Sequence, residues 1–206
     1  MAAASFLRIT KEIQYMKKRL ILGLGLVMTA CMVTGCGIVT VVPVGHEAEY
    51  TGATTFDSSA QSSDDWESVS SDIVSQAVDI NEAVSAGDSP VAVTGTATVV
   101  EFNTDTPKYY LLVEVEGLSG EIKIQAGGVY SGTTIRDVQT VKKFADFTNQ
   151  TEWSEYAKAL NTELDTNVVA PLGLDESVAG KTVTFTGAAE ISGDSVTITP
   201  VELTIE

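Results

Sequence analysis

"YYLLVEVEGLSGEIKIQAGG", residues 109–128, decides the fold. Leu111, Val113 and Val115 alternate with Leu112, Glu114 and Glu116, and Ile122 and Ile124 alternate with Glu121, Lys123 and Gln125. A period of two puts successive side chains on opposite faces of a strand, so each run buries one face and shows water the other. "LSG" between them is turn material. Upstream, "VAVTGTATVVEF" (91–102) has the same period, and "NTDTPK" (103–108) separates it from the next run. Three strands in a meander are expected.

Beyond the meander the period changes. Residues 144–164 read as a helix, with Phe147, Trp153, Tyr156, Ala157 and Leu160 as core candidates. "KTVTFTGAAEI" (181–191) and "DSVTITPVELTI" (194–205) then return to strand, joined at Ser192-Gly193, and Pro200 marks a bulge or an edge. Three meander strands, a helix and a hairpin are the order of a five-stranded OB-type barrel, whose helix lies between strands three and four. Gly95 and Gly187 fall where such strands bend.

Before the meander, Ser62 to Ala86 reads as one helix, with Ser62 or Ser63 as its cap and Asp64, Asp65 and Glu67 in its first turn. Trp66, Val69, Ile73, Ala77, Ile80 and Val84 make its apolar stripe, and Gly87 ends it. The expected architecture is a single α+β domain over 61–206: an OB-like five-stranded β-barrel with this N-terminal helix packed on it.

"MKKRLILGLGLVMTACMVTGC", residues 16–36, gives the address. Lys17, Lys18 and Arg19 make a basic head, Leu20–Val33 an apolar run, and Val33-Thr34-Gly35-Cys36 a lipobox. Together these read as a bacterial lipoprotein signal peptide over 1–35, with Met16 the expected start and Cys36 taking a diacylglycerol. Cys31 follows a poorer box. The run is also long enough to stay as an uncleaved anchor. Either way the rest of the chain is tethered outside the cytoplasmic membrane, with 36–60 as the tether.

After Cys36 the charge is 7 − 27 = −20, from 12 Lys+Arg less five and 28 Asp+Glu less one. So acidic a chain repels nucleic acid, whose affinity comes largely from phosphate neutralisation, and repels anionic lipid as well. Cys36 is the only cysteine left, and the single histidine, His46, sits in the tether. That removes disulfides, Cys- and His-based nucleophilic dyads and multi-His or Cys metal sites from the folded part.

"GGVYSGTTIRDVQTVKKFADFTNQTEWSEYAKALN" (127–161) resembles the predicted periplasmic lipoproteins grouped as a domain of unknown function, DUF2291. The shared pattern falls on Gly132, Thr133, Arg136, Asp137, Phe144, Asp146, Phe147, Asn149, Gln150, Tyr156, Leu160 and Asn161. The lipobox and the closing "GKTVTFTGA…ITPV" match too. Gly37, where a basic or polar residue is usual, and Trp153 depart from it. Members tend to sit beside sugar-uptake transporter genes. The resemblance therefore implies a lipoprotein of this fold and leans toward solute uptake.

Two polar groups are candidates for chemistry. Arg136-Asp137 either grips a carboxylate or sugar hydroxyls through the guanidinium fork or braces a barrel end. Asp146, Asn149 and Gln150 either bond a sugar beside Phe147 or Trp153, or cap and secure the local backbone. Glu114, Glu116 and Glu121 do not indicate a glycosidase, since nearby carboxylate pairs arise by chance among 27 acids. "NTDTPK" lacks a calcium loop's ligand spacing, and no phosphate-binding loop is present. The expected function is a non-enzymatic accessory or interaction lipoprotein of the cell membrane, without cofactor or metal, whose partner is a transporter or other envelope protein. A sugar-like ligand-binding module is the alternative.

Overall fold

The computed structural model describes residues 56–206; the signal segment, Cys36 and the tether to residue 55 lie outside the described residues. The folded unit begins at Phe56 rather than at residue 61, because Asp57 already caps a helix.

The barrel strands are β2 (Val91–Asn103), β3 (Lys108–Glu114), β4 (Glu121–Gly128), β5 (Thr182–Ser192) and β6 (Ser195–Ile205). β2, β3 and β4 form the expected meander. β4 pairs parallel with β6, β6 antiparallel with β5, and β5 antiparallel with β2, which closes the ring. Closure leaves no open edge among these strands, as in an OB-fold.

The alternation read from the sequence holds inside. Leu111, Val113, Ile122 and Ile124 are buried in the barrel with Val93 and Phe185. In β6 the inward phase changes midway: Val196 and Ile198 point in, and so does Leu203, an odd number of positions later. A bulge makes this possible. Thr186 pairs with Glu202 but Gly187 with Pro200, so Val201 is the extra residue and joins the second apolar layer outside.

That layer lies under two helices, α1 (Ser58–Gln76) and α4 (Gln150–Leu164). Val69 and Ile73 of α1 and Tyr156, Leu160 and Leu164 of α4 bury against Ala92 and Ala188, whose small side chains let the helices approach.

The single helix expected over 62–86 is two. α1 stops at Ala77, which is extended (φ −63°, ψ 129°); β1 (Val78–Asp79) adds a short parallel strand to β2; and α2 (Ile80–Ala86) starts on a new cap, with Asp79 accepting from the Asn81 N–H at 2.8 Å. Val69 and Ile73 are buried in the helix layer, whereas Ile80 is buried in the barrel core, and one straight helix could not serve both. The cap is Asp57, which accepts from the Ser59 and Ala60 N–H groups, not Ser62, which is buried. Gly87 ends α2 in the left-handed region (φ 74°), as expected.

The helix expected over 144–164 is also interrupted. A 3₁₀ turn spans Phe144–Asp146, and α4 begins after Asn149, whose extended backbone (ψ 171°) resets the chain. A short helix, α3 (Thr134–Val138), precedes them, five residues being too few to show a helical period in the sequence. α4 runs on into a π-helical turn, Asp165–Val169.

Candidate functional site

Four of the five side chains singled out in the sequence bond one another or nearby backbone. Arg136 donates to Asp137 Oδ1 from Nε at 2.9 Å and from Nη2 at 2.7 Å, and its guanidinium lies 4.8 Å above the Trp153 ring. Asp137 also accepts from the Thr133 hydroxyl. The pair braces α3 against α4. Asp146 accepts from the Lys143 N–H at 2.8 Å and closes the 3₁₀ turn. Asn149 caps α4 by accepting from the Glu152 N–H at 3.0 Å, while Glu152 reaches back to the Thr148 N–H at 2.8 Å. Gln150 is an exposed first-turn residue. None of the five lines any of the clefts described below.

The cap gives a direct test. Asn149→Ala is expected to lose about 1 kcal/mol, and Gln150→Ala almost nothing. On a thermal melt the first is a fall of roughly 2–4 °C. Equal behaviour of the two would mean that the cap is not what positions α4.

Concave surface occurs elsewhere. Two clefts, of about 290 and 440 Å³, flank the π-helical turn and share Asp165 and Gly128. In the first, the Tyr130 hydroxyl donates to Asp165 Oδ1 at 2.7 Å. Burial, then that bond and the Asp165 charge, push the Tyr130 phenol well above its usual range. A third cleft, of about 400 Å³, lies over α2 and Gly95 and is lined by Glu116 and Asp79.

The fourth is the most telling. Among the described residues the helices pack on β2, β5 and β6 and the π-helical turn on β4 and β6, which leaves the outer face of β3 and the adjoining part of β4 largely uncovered where it meets the first half of β6. A cleft of about 340 Å³ opens there, lined by Lys108, Tyr110, Lys123 and Thr197 among others. Lys123 Nζ sits 4.7 Å over the Tyr110 ring and 2.8 Å from Glu121 Oε2. Gln125 is its buried floor: Nε2 donates to Thr199 Oγ1 at 2.7 Å and to the Ser131 carbonyl at 3.2 Å, and Oε1 accepts from the Ser131 N–H at 3.0 Å. The cleft therefore gathers hydroxyls and an ammonium, already paired with Glu121 and lying over the Tyr110 ring, on a fixed floor.

Tyr110 and Lys123 were not singled out in the sequence, yet a signal was present. No Lys or Arg occurs between Arg19 and Lys108, and the first two cations after that gap, Lys108 and Lys123, meet in this cleft. Among the described residues, no cluster of His, Cys, Asp and Glu is arranged to hold a metal ion, and no helix is long and apolar enough to cross a membrane.

Comparison with known proteins places the chain. A search of curated proteins finds no match. Among solved structures, an OB-fold protein from Thermotoga maritima aligns over 74% of this chain and 100% of its own, with a TM-score of 0.55 and 17% identity, which supports the barrel. The model of a family described as predicted periplasmic lipoprotein (DUF2291) matches residues 82–204. Since that match takes in β2 to β5, all but the last residue of β6 and more than half of the sequence, the chain belongs to the DUF2291 family of predicted periplasmic lipoproteins.

Proposed function

We propose that this lipoprotein is a non-enzymatic accessory module, held at the outer side of the cell membrane by a diacylglycerol on Cys36, and that it presents the bare β3–β4–β6 face to a component of an ABC-type sugar uptake system. The observation that carries this reading is the Tyr110–Lys123 cleft on the β3–β4 side of the barrel, which the helices among the described residues leave largely uncovered. Its lining holds no histidine, cysteine or carboxylate, which favours recognition over turnover. Aromatic side chains and cations that can be desolvated together are what protein interfaces use as anchors.

The test is a photo-crosslinking residue in place of Tyr110 in the lipidated chain, irradiated in native membranes. The expected adduct contains a subunit of the uptake system, and Lys123→Glu removes it. No adduct at position 110, with Cys36→Ser still releasing the protein from membranes, overturns the accessory role but leaves the anchor standing.

A second reading uses the same cleft. At about 340 Å³, with hydroxyls beside an aromatic face, it suits a sugar-like ligand. A melt against pentoses and hexoses would show it: at 100 times Kd a ligand adds about 2.7 kcal/mol, roughly 5–10 °C here. A flat panel removes this reading.

A further inference from the structure

Val141, Lys142, Lys143 and Phe144 form a turn between α3 and α4, and two large apolar side chains on it stand in water: Val141 is 38% exposed and Phe144 50%. The turn is tightly held. Buried Gln139 donates to the Arg136 and Lys142 carbonyls at 3.0 and 2.7 Å and accepts from the Lys142 N–H at 2.8 Å. Asp72 of α1 accepts from the Thr140 N–H at 2.6 Å and from its hydroxyl at 2.9 Å. Asp146 fixes the Lys143 N–H. The apolar pair is thus presented as a fixed ridge.

The ridge ends an aromatic row that leads to the tether. Phe144 meets Trp153 edge-on at 6.4 Å, Trp153 tilts against Phe147 at 4.9 Å, and Phe147 meets Phe56 edge-on at 5.5 Å. Phe56 is the first described residue, and the lipid-bearing Cys36 is 56 − 36 = 20 positions before it. Even fully extended, that segment reaches only about 70 Å, and it joins the domain at this row. The neighbouring charges are mixed. Lys142 pairs with Asp65 at 3.5 Å, Arg136 with Asp137, and Asp72 and Asp146 are bonded to backbone. Lys143 is exposed beside Phe144. In a chain carrying −20 after Cys36, three of seven cations fall within residues 136–143.

We infer that this ridge is where the domain rests on the membrane that holds its anchor: Phe144 and Val141 enter the boundary between headgroups and acyl chains, with Lys143 at the phosphate level. The inference rests on the lipid anchor and is independent of the β3–β4–β6 face. Two apolar side chains bind a bilayer weakly alone, but a tethered domain meets the surface at high effective concentration, so a small ridge suffices to set its orientation. The acidic remainder is repelled by anionic lipid and turns outward.

The experiment uses the lipidated full chain in vesicles of phosphatidylcholine and phosphatidylglycerol, with Phe144→Cys carrying an environment-sensitive fluorophore and Ser119→Cys as control. Insertion to about 5–10 Å brings the label at 144 within reach of a nitroxide on an upper acyl carbon. The expected result is loss of most of its emission to that nitroxide and little to aqueous acrylamide, with the reverse at 119. A label at 144 as open to acrylamide as the control overturns the inference. So does one shielded from both quenchers, which means that the tether, a second copy or another protein covers the ridge. Because cysteine itself removes the ring, a label at Val141→Cys is compared with and without Phe144→Ser; an unchanged nitroxide effect there also overturns it.

Discussion

Phe185→Ala is expected to destabilise the domain by about 3–5 kcal/mol, a fall in Tm of roughly 6–20 °C. Phe185 is 1% exposed and is the largest side chain of the barrel core. It stands directly opposite Gly95 in the β2–β5 ladder. A Cβ on Gly95 would lie 2.9 Å from Phe185 Cζ and 3.0 Å from Ile80 Cγ2, so the ring occupies the space that a side chain on β2 would need. An aromatic ring laid across a cross-strand glycine both fills the barrel and covers exposed backbone. Gly95→Ala is therefore expected to cost about 1–3 kcal/mol by overpacking. The partners are side chains, so a Phe185→Leu background should relieve much of that cost, with a coupling of about 0.5–3 kcal/mol in a urea-denaturation cycle. Strict additivity would mean that Gly95 is required by its backbone and not by the ring. Gly187 is the contrasting case, because a Cβ there would strike the Thr199 carbonyl oxygen and no side-chain change could make room.

That pair illustrates what the sequence makes legible. The period-two runs name every barrel strand because alternation is local: each strand's own spacing says which face is buried. The closure of the barrel is another matter. The parallel β4–β6 and the antiparallel β2–β5 pairings join residues far apart in the chain, and only the element order, through the known OB arrangement, points to them. Spacing misleads between 66 and 84, where 3, 4, 4, 3, 4 fits one helix although Ile73 and Ile80 belong to different cores. Nothing local distinguishes a stripe facing one core from a stripe shared between two. The surroundings of the polar residues are hidden for a related reason. Arg136 and Asn149 look available as letters, but Arg136 directs its Nε and Nη2 at Asp137 and Asn149 its side-chain oxygen at the start of α4. Tyr110 and Lys123 look like ordinary outward strand residues until the β3–β4 pairing brings them together in one cleft.

Tyr156→Ala is expected to cost about as much as the loss of Phe185, because Tyr156 is fully buried at the meeting point of the helices. Its ring contacts Phe147 at 5.0 Å and lies stacked with Trp153 at 6.1 Å. Its hydroxyl donates to Asp65 Oδ2 at 3.1 Å, and Asp65 also accepts from Gln61 at 2.8 Å. Tyr156→Phe keeps the packing and removes the bond, for about 1 kcal/mol. The two phenols also set an alkaline limit. Burial, then the Asp65 charge and the bond to it, raise the Tyr156 phenol well above its usual range, as burial and Asp165 raise Tyr130. An unfolded chain ionises both near pH 10, whereas the folded chain keeps them protonated. Above pH 10 the folded state thus holds more protons, so this stabilisation is complete below pH 10 and declines as pH rises. The limiting slope is about 1.4 kcal/mol per pH unit for each phenol, less for the partly exposed Tyr130. Urea midpoints from pH 9 to pH 12 should fall steeply for the wild type, less for Tyr156→Phe, and least for Tyr130→Phe/Tyr156→Phe. Parallel curves for all three would show that alkaline unfolding is driven by other groups and that neither phenol is held in its neutral form by the fold.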